Sequence, residues 1–478
     1  MTLREADREG AAAGPRLVRA VGSLRGEIRV PSDKSVAHRA LLFNAMASGS
    51  AEVALRRPGA DVLSTVRVLH DLGTVAGVEA RDGSVRVTIR GGGEPGATQL
   101  PAGGGERLDC GNSGTTMRLL CGALAGRLST AVGGSGATST GLVGDPSLSS
   151  RPMERVAVPL RVMGAEVVTT GGHAPLRVRG NRPLRAMRHD LPVASAQVLG
   201  AITLAALAAD GITTIETPAE TRDHTERLLA WLGAPVHRDG TRTTVNGPAG
   251  LRAGSLSVPG DLSSAAAWLV AATLHPDAEL RLPGVSLNPS RTAIVDVLRE
   301  MGADIEVESG ELAGGRSPSS PEPEGDIVVR SVADLRAISL GGSRVASLID
   351  ELPLIAVTMA AANGVSELRD AAELRVKESD RIAQVVWHLM AMGVRAEELS
   401  DGWRITGSRR PRPVPVAPVI TTRGDHRIAI AFAVAALAGV GVDASIDDPA
   451  CIDVSYPGFW DDLESISGAV TAGAGAAR

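Results

Sequence analysis

Five short segments combine cations, carboxylates and hydroxyls at spacings suited to holding phosphorylated anions and moving protons beside them. Lys34, Ser35 and Arg39 cluster where a strand gives way to a segment that turns apolar. A helix beginning there offers free backbone N–H groups and the positive end of its dipole, so an anion is already favoured. Arg375-Val376-Lys377-Glu378-Ser379-Asp380-Arg381 is the second concentration. On a helix, Lys377 and Arg381 would be i,i+4 neighbours and repel by roughly 0.2–0.5 kcal/mol unless an anion sits between them. The plainer reading is a solvated face with Glu378 and Arg381 paired at i,i+3. The functional one is an Arg forking onto a phosphate, with a nearby carboxylate for proton transfer. Asp350-Glu351 stands before Leu352-Pro353 at a predicted helix start. Acidic residues there serve as caps, and a carboxylate facing a cationic cleft can instead act as a general base. Asp425-His426-Arg427 repeats that arrangement, and Asn112–Arg118 supplies a Gly-containing helix start able to form a nest of backbone N–H groups.

The elements that must position these residues repeat along the chain. An amphipathic helix, a small turn and a strand recur at Leu69–Gly73, Leu160–Gly164, Leu228–Gly233, Leu298–Gly302 and Leu389–Gly393, with a weaker copy over Phe459–Gly468. Gly at that place suits the left-handed residue that ends a helix. A second helix type alternates with the first and begins near Ser35, Ser113, Ser195, Ser263, Leu348 and Asp425. Val198–Ala209 and Ile428–Ala438 are apolar or Ala on every face, which predicts burial. Six such pairs with intervening strands predict an α/β fold of two similar three-unit domains.

A near-duplicate marks the boundary between them. Val30-Pro-Ser-Asp-Lys-Ser-Val-Ala37 matches Val258-Pro-Gly-Asp-Leu-Ser-Ser-Ala265 at an offset of 228 residues. Both read as interdomain crossings, giving one domain over 32–257 and a discontinuous one over 1–31 and 258–478. Gly310–Gly325, rich in Ser, Pro, Gly and Glu, reads as a surface loop and not a third linker. The duplicate also provides an internal control, because Leu262 and Ala267 occupy the places of Lys34 and Arg39. The fold therefore accepts apolar residues there, and the two cations are read as functional.

Composition removes several classes. A net charge of −5 provides no field for nucleic acid, and nine aromatics are too few for base-stacking platforms. Cys110, Cys121 and Cys451 show no ligand spacing, which fits a reducing cytoplasm without structural zinc. The longest apolar run, Ile428–Val442, is shorter than the roughly 18–20 residues a membrane span needs. Walker A and GxGxxG fingerprints in suitable surroundings are absent, so a nucleotide fold is not supported.

Taken in order, Pro31–Arg39, Gly111–Arg118, Gly144–Met153, Ser195–Gln197, Thr221–His224, Asp350–Pro353, Leu374–Arg381 and Gly424–Arg427 resemble the 5-enolpyruvylshikimate-3-phosphate synthase family of enolpyruvyl transferases. The resemblance implies two domains, each of three βαβαββ units around buried parallel helices. It implies that the 5-hydroxyl of shikimate 3-phosphate attacks C2 of phosphoenolpyruvate while C3 takes a proton, after which phosphate leaves. By similarity, Lys34, Gly114, Arg151, Gln197, Arg381 and Arg427 would hold phosphoenolpyruvate. Lys34, Ser35, Arg39, Ser195, Ala196 (through its backbone), Gln197, Arg222, Asp350 and Lys377 would hold shikimate 3-phosphate. Asp350 resembles the base for the hydroxyl and Glu378 the acid for C3, with Lys34 beside them. No metal or cofactor, no nucleic acid and no membrane is implied, and a cytoplasmic monomer is expected.

The sequence departs from the family pattern at three places. Val454 stands where many relatives carry Lys, Ala196 replaces a common Ser, and Glu373 a common Asn. The rival UDP-N-acetylglucosamine enolpyruvyl transferases place a Cys in the loop before an Arg-Pro pair, but Gly144–Ser150 has none, and Ser follows Lys34 where they have Asn. A non-catalytic anion-binding paralogue is a second rival, opposed by Lys34, Asp350, Lys377 and Glu378. A related cyclitol phosphate as acceptor is a third.

Overall fold

The computed structural model describes residues 14–94, 100, 107–126, 139–309, 320–408, 416–440 and 443–467. The chain divides into two units, leaving the first between Pro31 and Ser32 and returning to it between Val258 and Pro259. Its helices are α1 (Lys34–Met46), α2 (Ala60–Asp71), α3 (Gly114–Ala125), α4 (Pro146–Ser149), α5 (Glu154–Val162), α6 (Ala196–Ala206), α7 (His224–Trp231), α8 (Leu262–Leu274), α9 (Ala293–Met301), α10 (Arg344–Leu348), α11 (Leu352–Ala361), α12 (Arg381–Ala391), α13 (His426–Leu437) and α14 (Phe459–Ser467). The described part of the last amphipathic helix stops at Ser467, so Gly468 lies outside the described residues.

The first unit is built on α8, α11 and α13, which touch one another and in which every residue is buried. In the second unit α3 lies against both α1 and α6, and these three are buried except near their N-termini. Small residues allow the close approach: a Cβ on Gly122 of α3 would lie 2.1 Å from the Ala201 carbonyl oxygen of α6. Amphipathic α2, α5, α7, α9, α12 and α14 bury one side. Gly73, Gly164, Gly233, Gly302 and Gly393 all take positive φ after five of them, as the repeat predicts.

Among the described residues each unit has three sheets, and five of the six share one pattern. A short edge strand pairs parallel with a central strand, which pairs antiparallel with one arm of a hairpin. In the second unit Leu256–Ser257 pairs with Ser50–Arg56, which pairs with Ser84–Arg90, whose other neighbour is Val75–Arg81. In the first unit Leu24–Glu27 plays the edge part beside Ala278–Ser286. These edge strands lie just before the two crossings, so each unit is closed by a strand remote in sequence. In the sixth sheet, Val419–Ile420 and Ala444–Ile446 pair parallel, and Arg16–Val18 from the N-terminal region supplies the antiparallel neighbour.

Three expectations need correction. The fifth buried helix begins at Leu352 and not near Leu348, because Arg344–Leu348 forms a separate short helix. Residues 310–319 lie outside the described residues, but 320–322 belong to the second unit while Pro323 belongs to the first, so the chain visits the second unit again here and crosses back, beyond the two crossings expected. The crossing has a physical anchor: Glu322 is 2% exposed and meets Nδ1 of buried His224 at 2.8 Å. Lys377 and Arg381 do not share a helix either. A 3-10 turn covers Ala372–Val376, Lys377 is extended, and α12 starts only at Arg381.

Four of the nine aromatics, Trp268, Tyr456, Phe459 and Trp460, form one cluster in the first unit. The Trp268 indole donates to Tyr456 (2.6 Å), whose hydroxyl donates to Asp462 (2.7 Å). They fill a core and satisfy its polar edges. Among the described residues no helix is long and apolar enough to cross a membrane.

Candidate active site

In the second unit the helices themselves decide where polar groups can appear. The side chains of α1, α3 and α6 that escape full burial are Lys34 and Ser35, Thr115 and Arg118, and Ala196 and Gln197. All but Arg118, the fifth residue of α3, lie within the first two residues of their helix, where backbone N–H groups are free. Asp33, Ser113 and Ser195 cap the three helices, accepting from the N–H groups of Val36, Thr116 and Val198. Ser195 is therefore engaged as a cap.

Lys34 Nζ donates to Asp61 of α2 at 3.1 Å. Burial raises the Asp61 carboxyl, but the charge and hydrogen bond of Lys34 outweigh that and hold it below the usual carboxylate range. Arg39 is 2% exposed, with Nε donating to Thr225 of α7 (2.8 Å) and Nη1 to the Ser35 carbonyl (2.9 Å). Burial pulls its guanidinium down to about 10, against Glu226, Asp33 and Glu322, so it stays cationic at neutral pH. Nη2 makes no hydrogen bond to the described residues. Arg222, just before α7, is close enough to oppose the Arg39 charge.

Gly114 is the first residue of α3, and its missing side chain matters. A Cβ there would stand 2.8 Å from Arg118 Nη1 and 3.4 Å from Arg151 Nη1, so two guanidinium groups lie across this helix start. Arg118 Nη1 donates to Gln197 (2.5 Å), whose amide donates to Thr115 (2.9 Å). Arg151 Nη2 donates to Asn112 (3.1 Å), which is held by Asp145 (2.7 Å). Behind them runs a buried relay of His38, Thr65, Thr116 and Ser113, at successive distances of 2.7, 2.6 and 2.7 Å. Burial pushes His38 down to about 3, so it is a neutral strut.

In the first unit the centre is Arg381, 2% exposed. Its Nε and Nη2 fork onto Asp425 at 2.9 and 3.2 Å, and Nη2 also donates to Glu378 at 2.7 Å. Burial alone would lower the guanidinium, but Asp425 and Glu378 raise it. Nη1 is buried, makes no hydrogen bond among the described residues, and lies 3.9 Å from the Asp350 carboxylate. Asp425 is the N-cap of α13 and receives the Arg427 N–H (3.0 Å) and the Ser379 hydroxyl (2.9 Å).

Asp350 and Glu351 are not caps: Glu351 occupies the N-cap place of α11 without a side-chain cap bond. Glu351 instead accepts from Ser263 and from Arg291 (3.3 Å), both nearly inaccessible. Arg427 Nη1 reaches the Ser263 carbonyl at 3.5 Å. Lys377 turns to Glu373 at 3.2 Å. Val454 closes a 3-10 turn, Pro449–Val454, and is half-buried.

The structure thus joins Asp350, Glu378 and Arg381 in one set, and Arg118, Arg151, Gly114 and Gln197 in another. It adds Asp61, Arg118, Glu322 and Arg291, which sequence reasoning did not select, and makes Asp425, which the sequence had placed at a helix start, the partner of Arg381. Arg118 carried a signal, standing one turn after Gly114. Asp61, Glu322 and Arg291 are long-range partners with none.

The family model for EPSP synthase (3-phosphoshikimate 1-carboxyvinyltransferase) matches residues 18–463. The chain belongs to the EPSP synthase family. A 3-phosphoshikimate 1-carboxyvinyltransferase of Chloroflexus aggregans is 46% identical over 449 residues, covering 93% of this chain and 97% of that one. One from Gloeobacter violaceus is 47% identical over 446 residues, covering 93% and 96%. The EPSP synthase of Acinetobacter baumannii superposes with a TM-score of 0.80 at 35% identity, over 95% of this chain and 98% of that one. The enolpyruvyl transferase NikO of Streptomyces tendae has a TM-score of 0.71 at 19% identity, a likeness of fold. Glu373, one of the positions read above as a departure from the family pattern, is ion-paired with Lys377 at 3.2 Å.

Proposed function

We propose that this protein transfers the enolpyruvyl group of phosphoenolpyruvate to the 5-hydroxyl of shikimate 3-phosphate and releases phosphate, a step of aromatic amino-acid biosynthesis. The observation that carries the reading is Arg381: an ion-paired, buried guanidinium with one nitrogen unbonded, flanked by Asp350 and Glu378. Such a group suits an anionic substrate held beside two carboxylates that exchange protons.

Lys34, Gly114, Arg151, Gln197, Arg381 and Arg427 hold phosphoenolpyruvate in this reading, and Arg118 reinforces Gln197. Lys34, Ser35, Arg39, Ser195, Ala196, Gln197, Arg222, Asp350 and Lys377 hold shikimate 3-phosphate. Asp350 takes the proton of the 5-hydroxyl as its oxygen bonds to C2. Glu378 gives a proton to C3, and the C2=C3 electron pair goes to that new C–H bond. The tetrahedral intermediate then loses phosphate from C2 and a proton from C3, which restores the vinyl group. Several negative charges come together, and bare repulsion of two unit charges 4 Å apart is about 4 kcal/mol at an effective dielectric of 20. Clustered cations offset that, and Arg39 and Arg381 remain charged although buried.

The test is phosphate release from phosphoenolpyruvate by the purified protein. Release requires shikimate 3-phosphate; its absence from folded, ligand-binding protein would identify a non-catalytic paralogue, and release driven by UDP-N-acetylglucosamine or another cyclitol phosphate would reassign the acceptor. We further take the protein to act as a cytoplasmic monomer: its three cysteines are free and buried. A sedimentation mass of 49.0 kDa would agree, and twice that would overturn the monomer.

A further inference from the structure

The short second visit of the chain to the second unit, ending at Glu322, delivers a carboxylate there, and its position is informative. Glu322 and His224 have fully inaccessible side chains, and Glu322 Oε1 meets Nδ1 of His224 at 2.8 Å. A carboxylate only accepts, so Nδ1 carries the proton. His224 is the first residue of α7, and each of the next two side chains has its own partner. Thr225 accepts from Arg39 Nε at 2.8 Å, and Glu226 accepts from Arg238 at 3.1 Å and Thr243 at 3.1 Å. Arg222 lies two residues before His224. The first turn of α7 is therefore the piece that aims Arg39 and carries Arg222, and Glu322 is what pins it from outside its own stretch of chain.

We propose that Glu322 is a positioning residue for the shikimate 3-phosphate half of the site, acting through His224 on the α7 turn that sets Arg39 and Arg222. The inference rests on the proposed function for the identity of the ligand. Its role is geometric. As a charge, Glu322 opposes the field of Arg39 and works against anion binding; as an acceptor at fixed distance it holds the turn. The two roles predict opposite orders of variants. Glu322→Gln keeps an acceptor at the same reach and removes the charge. Glu322→Asp keeps the charge and withdraws it by one methylene.

The experiment is calorimetric binding of shikimate 3-phosphate to the full chain, with KM for both substrates from the phosphate-release assay. Glu322→Gln should bind within threefold of wild type, while Glu322→Asp and Glu322→Ala should bind at least tenfold more weakly. KM for phosphoenolpyruvate should move less than twofold in all three. The proposal is overturned if Glu322→Asp binds like wild type while Glu322→Gln does not, or if both substrates weaken together. If Glu322→Ala does not fold, the Gln and Asp variants alone decide between distance and charge. Failure of the wild-type protein to bind shikimate 3-phosphate would overturn the proposed function, and this inference with it.

Discussion

Replacing Arg381 by Met removes the guanidinium while keeping a side chain of similar length in a site that is 2% exposed. Asp425 is fully buried and loses both bonds of the fork, at 2.9 and 3.2 Å. Breaking a buried pair from one side costs about 3–5 kcal/mol. Asp425 keeps the Ser379 hydroxyl and the Arg427 N–H, so the lower end, about 3 kcal/mol, is expected. For a unit of this size that is a fall in Tm of roughly 6–12 °C. Turnover should fall independently: one charge-assisted contact to substrate contributes about 1.5–3 kcal/mol, or roughly 10- to 150-fold in kcat/KM. Adding Asp425→Asn removes the stranded charge and should recover most of the Tm and none of the kcat/KM. Differential scanning calorimetry and phosphate release on the two single variants and the double close the cycle. A Tm loss under about 2 °C for Arg381→Met would refute the buried-pair argument, and near-wild-type turnover in the double would refute the assignment to phosphoenolpyruvate.

Glu378→Gln keeps an acceptor for Arg381 Nη2, now at 2.7 Å, but cannot donate a proton to carbon; kcat should fall about 100-fold or more with KM little changed, and an unaltered kcat excludes it as the acid. Gly114→Ala puts a methyl 2.8 Å from Arg118 Nη1 and 3.4 Å from Arg151 Nη1, both flexible ends, so melting should stay near wild type while KM for phosphoenolpyruvate rises about tenfold, the value of one displaced charge-assisted contact; an unchanged KM removes these guanidinium groups from the site. His38 titrates near 3 in the folded state against an ordinary 6.5, so the unfolded chain takes its proton first and stability is lost as pH falls from 6.5 toward 3. Between pH 7.5 and 5.5, wild type should lose about 1.4 kcal/mol more than His38→Gln in urea unfolding, and equal losses would show that His38 is not buried neutral.

The repeat was legible because burial on all faces and helix-ending glycines are local properties. Val198–Ala209 and Ile428–Ala438 advertise their burial in composition, and the five glycines need positive φ whatever surrounds them. The start of α11 was misplaced for an equally local reason: Arg344–Leu348 and Leu352–Ala361 are two helices whose residues read as one. Lys377 and Arg381 look like helical neighbours by spacing, yet Asp380 caps α12 by accepting from the Ala383 N–H, and the cap fixes the helix start between them. Glu322 was hidden most completely. Its surroundings are those of a loop, and only the arrival of His224, 98 residues away in sequence, makes the carboxylate structural.

The duplicated helix start shows what a sequence offset can and cannot test. Helices α1 and α8 have thirteen residues each and begin 228 residues apart, with Asp33 and Asp261 as caps. Leu262 and Ala267 show that the fold holds without Lys34 and Arg39, since both are buried. Yet Ser35 and Ser263, also 228 apart, each have a carbonyl facing a guanidinium: that of Arg39 at 2.9 Å in one unit, and that of Arg427 at 3.5 Å in the other. The Ser263 hydroxyl, in turn, is engaged by Arg291. In the second unit the cation belongs to the helix, whereas in the first it is brought from α13, while α8 itself carries Ala267, too small to supply one. The fold therefore dispenses with Arg39 as a residue while keeping a guanidinium at the place it serves. A cationic helix start is common to both units, and what differs is which element supplies the charge, something only long-range contact reveals.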